Sequence, residues 1–163
     1  MFDCLTRKPS IEELQKIFAG RLLVPKLFGV LESAHDRALA PFDLTVRQAS
    51  LLASCDIGEA NTQAELAHIY SLEASSINRL VERLVKKGFL LRKRSKADRR
   101  QIFLEITPEG KKCLWEAVPA SVQVAKKAWK GVTDEEKAIF EGLVKKVVTN
   151  LNETSGPQQH QTK

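Results

Sequence analysis

Residues able to carry covalent or metal chemistry are few in this 163-residue chain, and they are scattered. His35, His68 and His160 have no nucleophile or carboxylate beside them in a recognisable catalytic arrangement. Cys4, Cys55 and Cys113 form no CxxC pair and no zinc-ligand spacing, and there is no glycine-rich phosphate loop. The expectation is therefore no enzyme, no metal and no cofactor. The chemistry that does concentrate is anion binding. From Lys86 to Arg100, "KKGFLLRKRSKADRR" carries eight Lys or Arg against the single Asp98. The formal net charge of the whole chain is +6, so these fifteen residues hold all of its excess and the rest is close to neutral. Positive charge localised in this way is what a phosphate backbone selects.

Just before this run, "EASSINRLVERLVKK" (73–87) reads as a helix stopped by Gly88 at the position after its cap. Ile77, Leu80, Val81 and Leu84 fall at i, i+3, i+4 and i+7 and form a stripe to be buried. The opposite face carries Ser75, Arg79, Glu82 and Lys86, flanked by Ser76, Asn78 and Arg83. Ser75, Ser76, Asn78, Arg79 and Arg83 suit a helix that enters a major groove. Arg pairs with guanine, Asn with adenine, and small hydroxyls allow close approach to phosphates. Glu82 is expected to pair with Lys86 four residues on. The plain alternative is a solvated helix face.

The elements that must hold this helix are legible from caps and periodicity. Thr62 and Glu65 form a capping box that opens "TQAELAHIY", and the short turn "YSL" joins it to the next helix. Two short helices around a tight turn make a helix-turn-helix. After Gly88 the period changes to two. "FLLRKR" and "QIFLEI" read as a β-hairpin with "SKADRR" between them, and Ile102, Leu104 and Ile106 share one face.

Upstream, Ser10 and Glu13 open a helix running to about Ala40, with Leu14, Ile17, Phe18, Leu22, Phe28 and Leu31 at helical spacing. Pro25 is expected to kink or interrupt it, and Pro41 to end it. "DLTVRQASLLASC" is a second helix from near Thr45, closed by the loop "GEAN". Downstream, Thr107 caps a helix with Pro108 at its first position, with a kink expected at Pro119 and a break at Gly131. Thr133 and Glu136 open the last helix, and the polar tail "NETSGPQQHQTK" is expected to be disordered. The apolar stretch in the first helix is interrupted by Arg21, Pro25 and Lys26, so no membrane span is expected. The start has no signal-peptide pattern and the cysteine count is odd. Both suggest a cytoplasmic protein. The fold class is mainly α with a small β-hairpin.

The strings "LTVRQASLLASC", "INRLVERLVKKGFL", the "DRR" of 98–100 and "ITPEG" of 106–110 resemble the MarR family of bacterial transcriptional regulators. The resemblance spans roughly residues 10–150. It implies a winged helix-turn-helix core flanked by N- and C-terminal dimerisation helices. Residues 1–40 would be the N-terminal dimerisation helix and 41–107 the DNA-binding lobe. Residues 108–150 would be the C-terminal dimerisation helices and 151–163 a disordered tail. It also implies a homodimeric repressor bound to double-stranded DNA at an inverted-repeat operator. The helix at 73–87 would lie in the major groove and the hairpin at 89–106 would be the wing. A small aromatic or phenolic anion would release it, with His35, Arg37, Arg47 and Trp115 as the effector candidates.

On the wing, the family pattern makes Arg100 the minor-groove residue, with Asp98 holding its guanidinium. Arg94, Lys96 and Arg99 would meet phosphates. Two departures from the pattern stand out. Ser71 occupies a position where a turn glycine is common, and Glu73 one where an N-capping Asp is common. Two alternatives remain open at this stage. One is a redox-responsive regulator sensing through Cys4, which lies near Arg7 and Lys8. The other is a winged-helix protein-interaction module without DNA binding.

The role of Asp98 can be tested by substitution. Asp98→Ala weakens operator binding if Asp98 orients Arg100, and tightens it slightly if Asp98 is only a repelling charge. Arg94→Ala lowers the salt-dependence slope of binding by about one unit. Anisotropy titrations over a salt series read both.

Overall fold

The computed structural model describes residues 10–94 and 102–153. In chain order the elements are α1 (Ile11–Leu39), α2 (Val46–Asp56), α3 (Gln63–Tyr70), α4 (Ala74–Lys86), β1 (Leu90–Arg94), β2 (Ile102–Ile106), α5 (Pro108–Ala128) and α6 (Asp134–Glu153). A single 3-10 turn, Ala40–Phe42, follows α1. The chain divides into two compact units, one up to Ala125 and one from Lys126 onward.

Capping chemistry sets the helix starts. Ser10 with Glu13, Thr45 with Gln48, and Thr62 with Glu65 each form reciprocal capping boxes, and Thr133 with Glu136 makes the same pair of bonds at 2.8 and 3.2 Å. Neither internal proline interrupts its helix. α1 continues through Pro25 and α5 through Pro119, each as one helix. A proline removes one backbone donor, and several helical turns on either side keep the remaining ladder intact. Pro41 ends α1 by way of the 3-10 turn, closed by Asp43 in the left-handed region at φ 52°. The side chains of Ile17 and Phe18, and the tail from residue 154, lie outside the described residues.

The first unit has one core. Ile77, Val81 and Leu84 of α4 are fully buried, against Leu51 and Leu52 of α2 and Leu66 of α3. Each such side chain contributes about 1.5–3 kcal/mol of burial energy. Leu80, the fourth stripe residue, is only partly covered. The hairpin is antiparallel, with Leu90 opposite Ile106 and Arg94 opposite Ile102. Of its alternating face, Leu104 is buried, Ile106 is half-buried and Ile102 is exposed at the outer end. Leu104 N–H donates to the Asn61 carbonyl at 2.7 Å, which fastens β2 to the loop before α3.

α4 ends in a Schellman arrangement. Gly88 N–H donates to Val85 O and Phe89 N–H to Leu84 O, both at 2.9 Å, with Gly88 at φ 74°. The chain then returns to the same place after the hairpin. Thr107 N–H donates to Phe89 O (3.0 Å) and the Thr107 hydroxyl donates to Gly88 O (2.7 Å). The same hydroxyl accepts from Gly110 N–H at 2.9 Å and so caps α5. Gly110 packs against the Phe89 carbonyl so closely that an added Cβ would lie 2.3 Å from its oxygen. Further along α5, Lys111 and the Trp115 indole N–H both reach the Asp56 carboxylate, at 2.9 and 3.0 Å. The hydrogen bond from Lys111 is the largest cause holding that carboxyl below its usual range.

In the second unit, Trp129 and Phe140 meet edge to face with centroids 5.6 Å apart, and the Lys137 ammonium lies over the indole. On α6, Ile139, Leu143, Val147 and Leu151 recur every four residues and are all exposed. No helix among the described residues is long and apolar enough to cross a membrane.

The turn between α3 and α4 is made by Ser71 at φ 49°, ψ 44°, whose N–H closes α3 onto Ala67 and His68. A side chain is disfavoured in this region, and glycine relieves that cost at the expense of a freer unfolded chain. Ser71→Gly should therefore raise unfolding stability by about 0.5–1 kcal/mol, measured by urea titration. An unchanged or lower midpoint would count against a strained turn.

Candidate nucleic-acid interface

α4 presents the face that its sequence pattern defines. Ser75, Arg79 and Arg83 are exposed, whereas Ser76 and Asn78 are half-buried. Among the described residues, the guanidinium groups of Arg79 and Arg83 make no hydrogen bond or ion pair, so both are available to a ligand. Glu73, at the N-cap of α4, makes no side-chain cap bond. The Ala74 and Ser75 amides therefore have no side-chain acceptor from the N-cap, a polarity that favours phosphate.

Asn78 is occupied within the protein. Its side-chain carbonyl accepts from Gln63 Nε2 of α3 and from Arg92 NH2 of β1, each at 3.0 Å. Its amide nitrogen donates to Glu82 Oε1 at 2.8 Å. Glu82 is thus held by Asn78 on its N-terminal side, in place of the expected pair with Lys86. The arrangement joins α3, α4 and the first hairpin strand through one side chain. Sequence reasoning missed Gln63 and Arg92 as partners, because residues 15 and 14 positions away leave no local periodicity.

The basic run is also divided. Lys87 turns back, donating to the Asp43 carbonyl and pairing with its carboxylate at 3.1 Å. Lys93 pairs diagonally across the hairpin with Glu105 at 2.5 Å. With Arg92 held by Asn78, the cations of 86–94 left for a ligand are Lys86 and Arg94, both exposed. Lys96, Asp98, Arg99 and Arg100 lie outside the described residues.

The four effector candidates do not converge. Arg47 lines a cavity of about 250 Å³ together with Phe28, Glu32, Tyr70, Leu72 and Leu80. His35 Nδ1 is 2.9 Å from the Leu31 carbonyl of its own helix. Arg37 is exposed on α1, and Trp115 is committed to Asp56. A second, polar hollow of about 400 Å³ is lined by Asp36, Asp43, Gln48, Arg83 and Lys87.

Neither described cysteine has the character of a sensor. Burial pushes the Cys55 thiol up to about 11, and burial likewise raises Cys113, whose Sγ sits 3.5 Å from the Phe42 carbonyl. Cys4 lies outside the described residues. His68 is exposed on α3, and no His, Cys, Asp and Glu among the described residues form a group able to hold a metal.

A family model described as "MarR family" matches residues 44–102, from α2 to the start of β2. The uncharacterized HTH-type transcriptional regulator YdcH of Bacillus subtilis is 37% identical over 87 residues, covering 51% of this chain and 59% of that protein's length. The multiple antibiotic resistance protein MarR of Salmonella typhimurium is 28% identical over 111 residues, covering 68% of this chain and 77% of that one. In fold, the chain matches a crystal structure of a mutant MarR from E. coli complexed with operator DNA. The TM-score is 0.76 at 24% identity, covering 85% of this chain and 99% of that chain. The chain is therefore similar in sequence to the MarR family across the helix-turn-helix, and similar in fold to a MarR protein well beyond it.

Proposed function

We propose that the protein is a cytoplasmic homodimeric repressor that holds an inverted-repeat operator and leaves it when a small aromatic molecule binds. The observation that carries the DNA-binding half is the outward face of α4. Arg79 and Arg83 are free there beside Ser75, and the α4 N-terminus lacks a side-chain cap. This face lies one glycine before a basic hairpin. Arg79 and Arg83 then meet base edges or phosphates in the major groove, Ser75 and Ser76 approach the backbone, and Arg94 leads the wing toward the next groove. Asn78 acts by holding α4 to the hairpin, since its polar atoms are already engaged. The Lys96–Arg100 segment supplies the wing tip, with Asp98 bracing Arg100.

A second copy of the chain is the partner that the apolar surfaces call for. Leu22, Leu23, Val24 and Leu27 of α1 are exposed, as is the four-residue stripe of α6. Exposed apolar area of this extent is normally covered. Two-fold pairing would present two α4 helices to half-sites about one helical turn apart. The cavity between α1, α2, α3 and α4 is the effector site in this reading. It touches Leu80 on the buried side of α4 and Leu72 in the turn before it. A ligand there bears directly on the seating of the DNA-reading helix.

Titration of labelled duplexes from the chain's own upstream DNA tests the reading. Arg79→Ala should cost about 1–3 kcal/mol and relax the preference at one base position. Asn78→Ala should lower affinity for all base variants in parallel. Absence of any salt-dependent duplex binding by the wild-type chain would sink the proposal in favour of a protein-interaction module.

A further inference from the structure

The cavity beside α4 has an unusual charge balance for a site expected to hold an anion. Its walls are mostly apolar, from Phe28, Val46, Leu51, Leu72, Leu80 and the Tyr70 ring. Glu32 and Arg47 are the charged residues that line it, and they are paired with each other. Arg47 Nε lies 2.6 Å from Glu32 Oε1, and the guanidinium stands over the Phe28 ring with its carbon 5.5 Å from the centroid. The cation is therefore neutralised along one edge and stacked on one face. The Tyr70 hydroxyl is committed as well. The Ser54 hydroxyl donates to Glu59 Oε2 at 2.9 Å, so the Tyr70 hydroxyl, 2.8 Å away, donates to Ser54 and is not offered to a ligand.

We propose that this cavity takes an uncharged aromatic molecule of one or two rings and discriminates against aromatic carboxylates, with Glu32 setting the discrimination. The inference rests on reading the cavity as the effector site, and it replaces the aromatic anion that the family resemblance implies. Size agrees with the class. An apolar cavity of about 150 Å³ holds benzene, and this one offers about 250 Å³. Charge decides the rest. A carboxylate entering beside Arg47 meets the Glu32 carboxylate already in place, and must either bear the repulsion or displace it into solvent. A neutral ring loses only water, and gains the apolar walls and the Phe28 and Tyr70 faces. Ser50, also on the wall, supplies a hydroxyl that a neutral carbonyl or amide can address.

The test uses two probes of one shape, 2-naphthamide and 2-naphthoate, titrated by isothermal calorimetry against the full chain. Wild type should bind the amide at least about tenfold tighter than the carboxylate. Glu32→Gln leaves Arg47 unpaired and should invert the order. Arg47→Met added to Glu32→Gln should then lose the carboxylate again. Ser50→Leu fills the cavity and should abolish both, which locates the binding. A wild-type preference for the carboxylate overturns the proposal while leaving the cavity as an effector site. An unchanged preference in Glu32→Gln overturns the role of Glu32. If neither probe binds wild type or Glu32→Gln, or if Ser50→Leu still binds, the reading of the cavity falls with it.

Discussion

The feature on which the helix-turn-helix lobe depends is a backbone joint where the chain passes the same point twice. Leaving α4, it turns through Gly88 and Phe89; returning from the hairpin, it enters α5 through Thr107 and Gly110. One hydroxyl, that of Thr107, donates to Gly88 and accepts from Gly110. The Thr107 amide holds Phe89, and Gly110 has no side chain because the Phe89 carbonyl occupies that space. The end of the recognition helix, the base of the wing and the start of α5 are therefore fixed by one small set of atoms. Asn78 makes a second tie farther out, from α4 to Arg92 of β1. Between them, the two ties join α4 to the base and the middle of β1.

That geometry changes how the positive charge is understood. A count over 86–100 treats all its cations as equivalent. The structure separates those that build the lobe from those that face outward. Lys87, Arg92 and Lys93 are engaged by Asp43, Asn78 and Glu105 within the lobe. Arg79, Arg83, Lys86 and Arg94 remain for a polyanion. The same division appears at the cavity, where the Arg47 cation is balanced by Glu32. Composition states how much charge a segment has; only the pairing states how much of it a partner can meet.

Much of the fold was legible because it is written in local signals. Capping residues marked the helix starts, Gly88 marked the end of α4, and the change from helical to alternating period marked the hairpin. The Ile77, Val81 and Leu84 stripe followed directly from spacing. What escaped were contacts set by tertiary proximity. Gln63 and Arg92 converge on Asn78, and Glu32 on Arg47, from 14 or 15 residues away with no periodic trace. Pro25 does not interrupt α1, for a different reason. Pro25 and Pro119 each remove one helical bond, which is a local loss, and α1 and α5 are long enough to absorb it. His35 and Trp115, named as effector candidates from the family resemblance and their residue types, hydrogen-bond within the chain to Leu31 and Asp56.

Operator affinity of two Thr107 variants probes the joint most directly. Thr107→Ser keeps the hydroxyl and both of its hydrogen bonds; Thr107→Val keeps the shape and loses both. With each variant confirmed folded by circular dichroism at the assay temperature, anisotropy titration should give Thr107→Ser an affinity close to wild type. Thr107→Val should lose about tenfold or more, as expected for two buried hydrogen bonds. Equal operator affinity for the two variants would contradict a recognition helix and wing set by that joint.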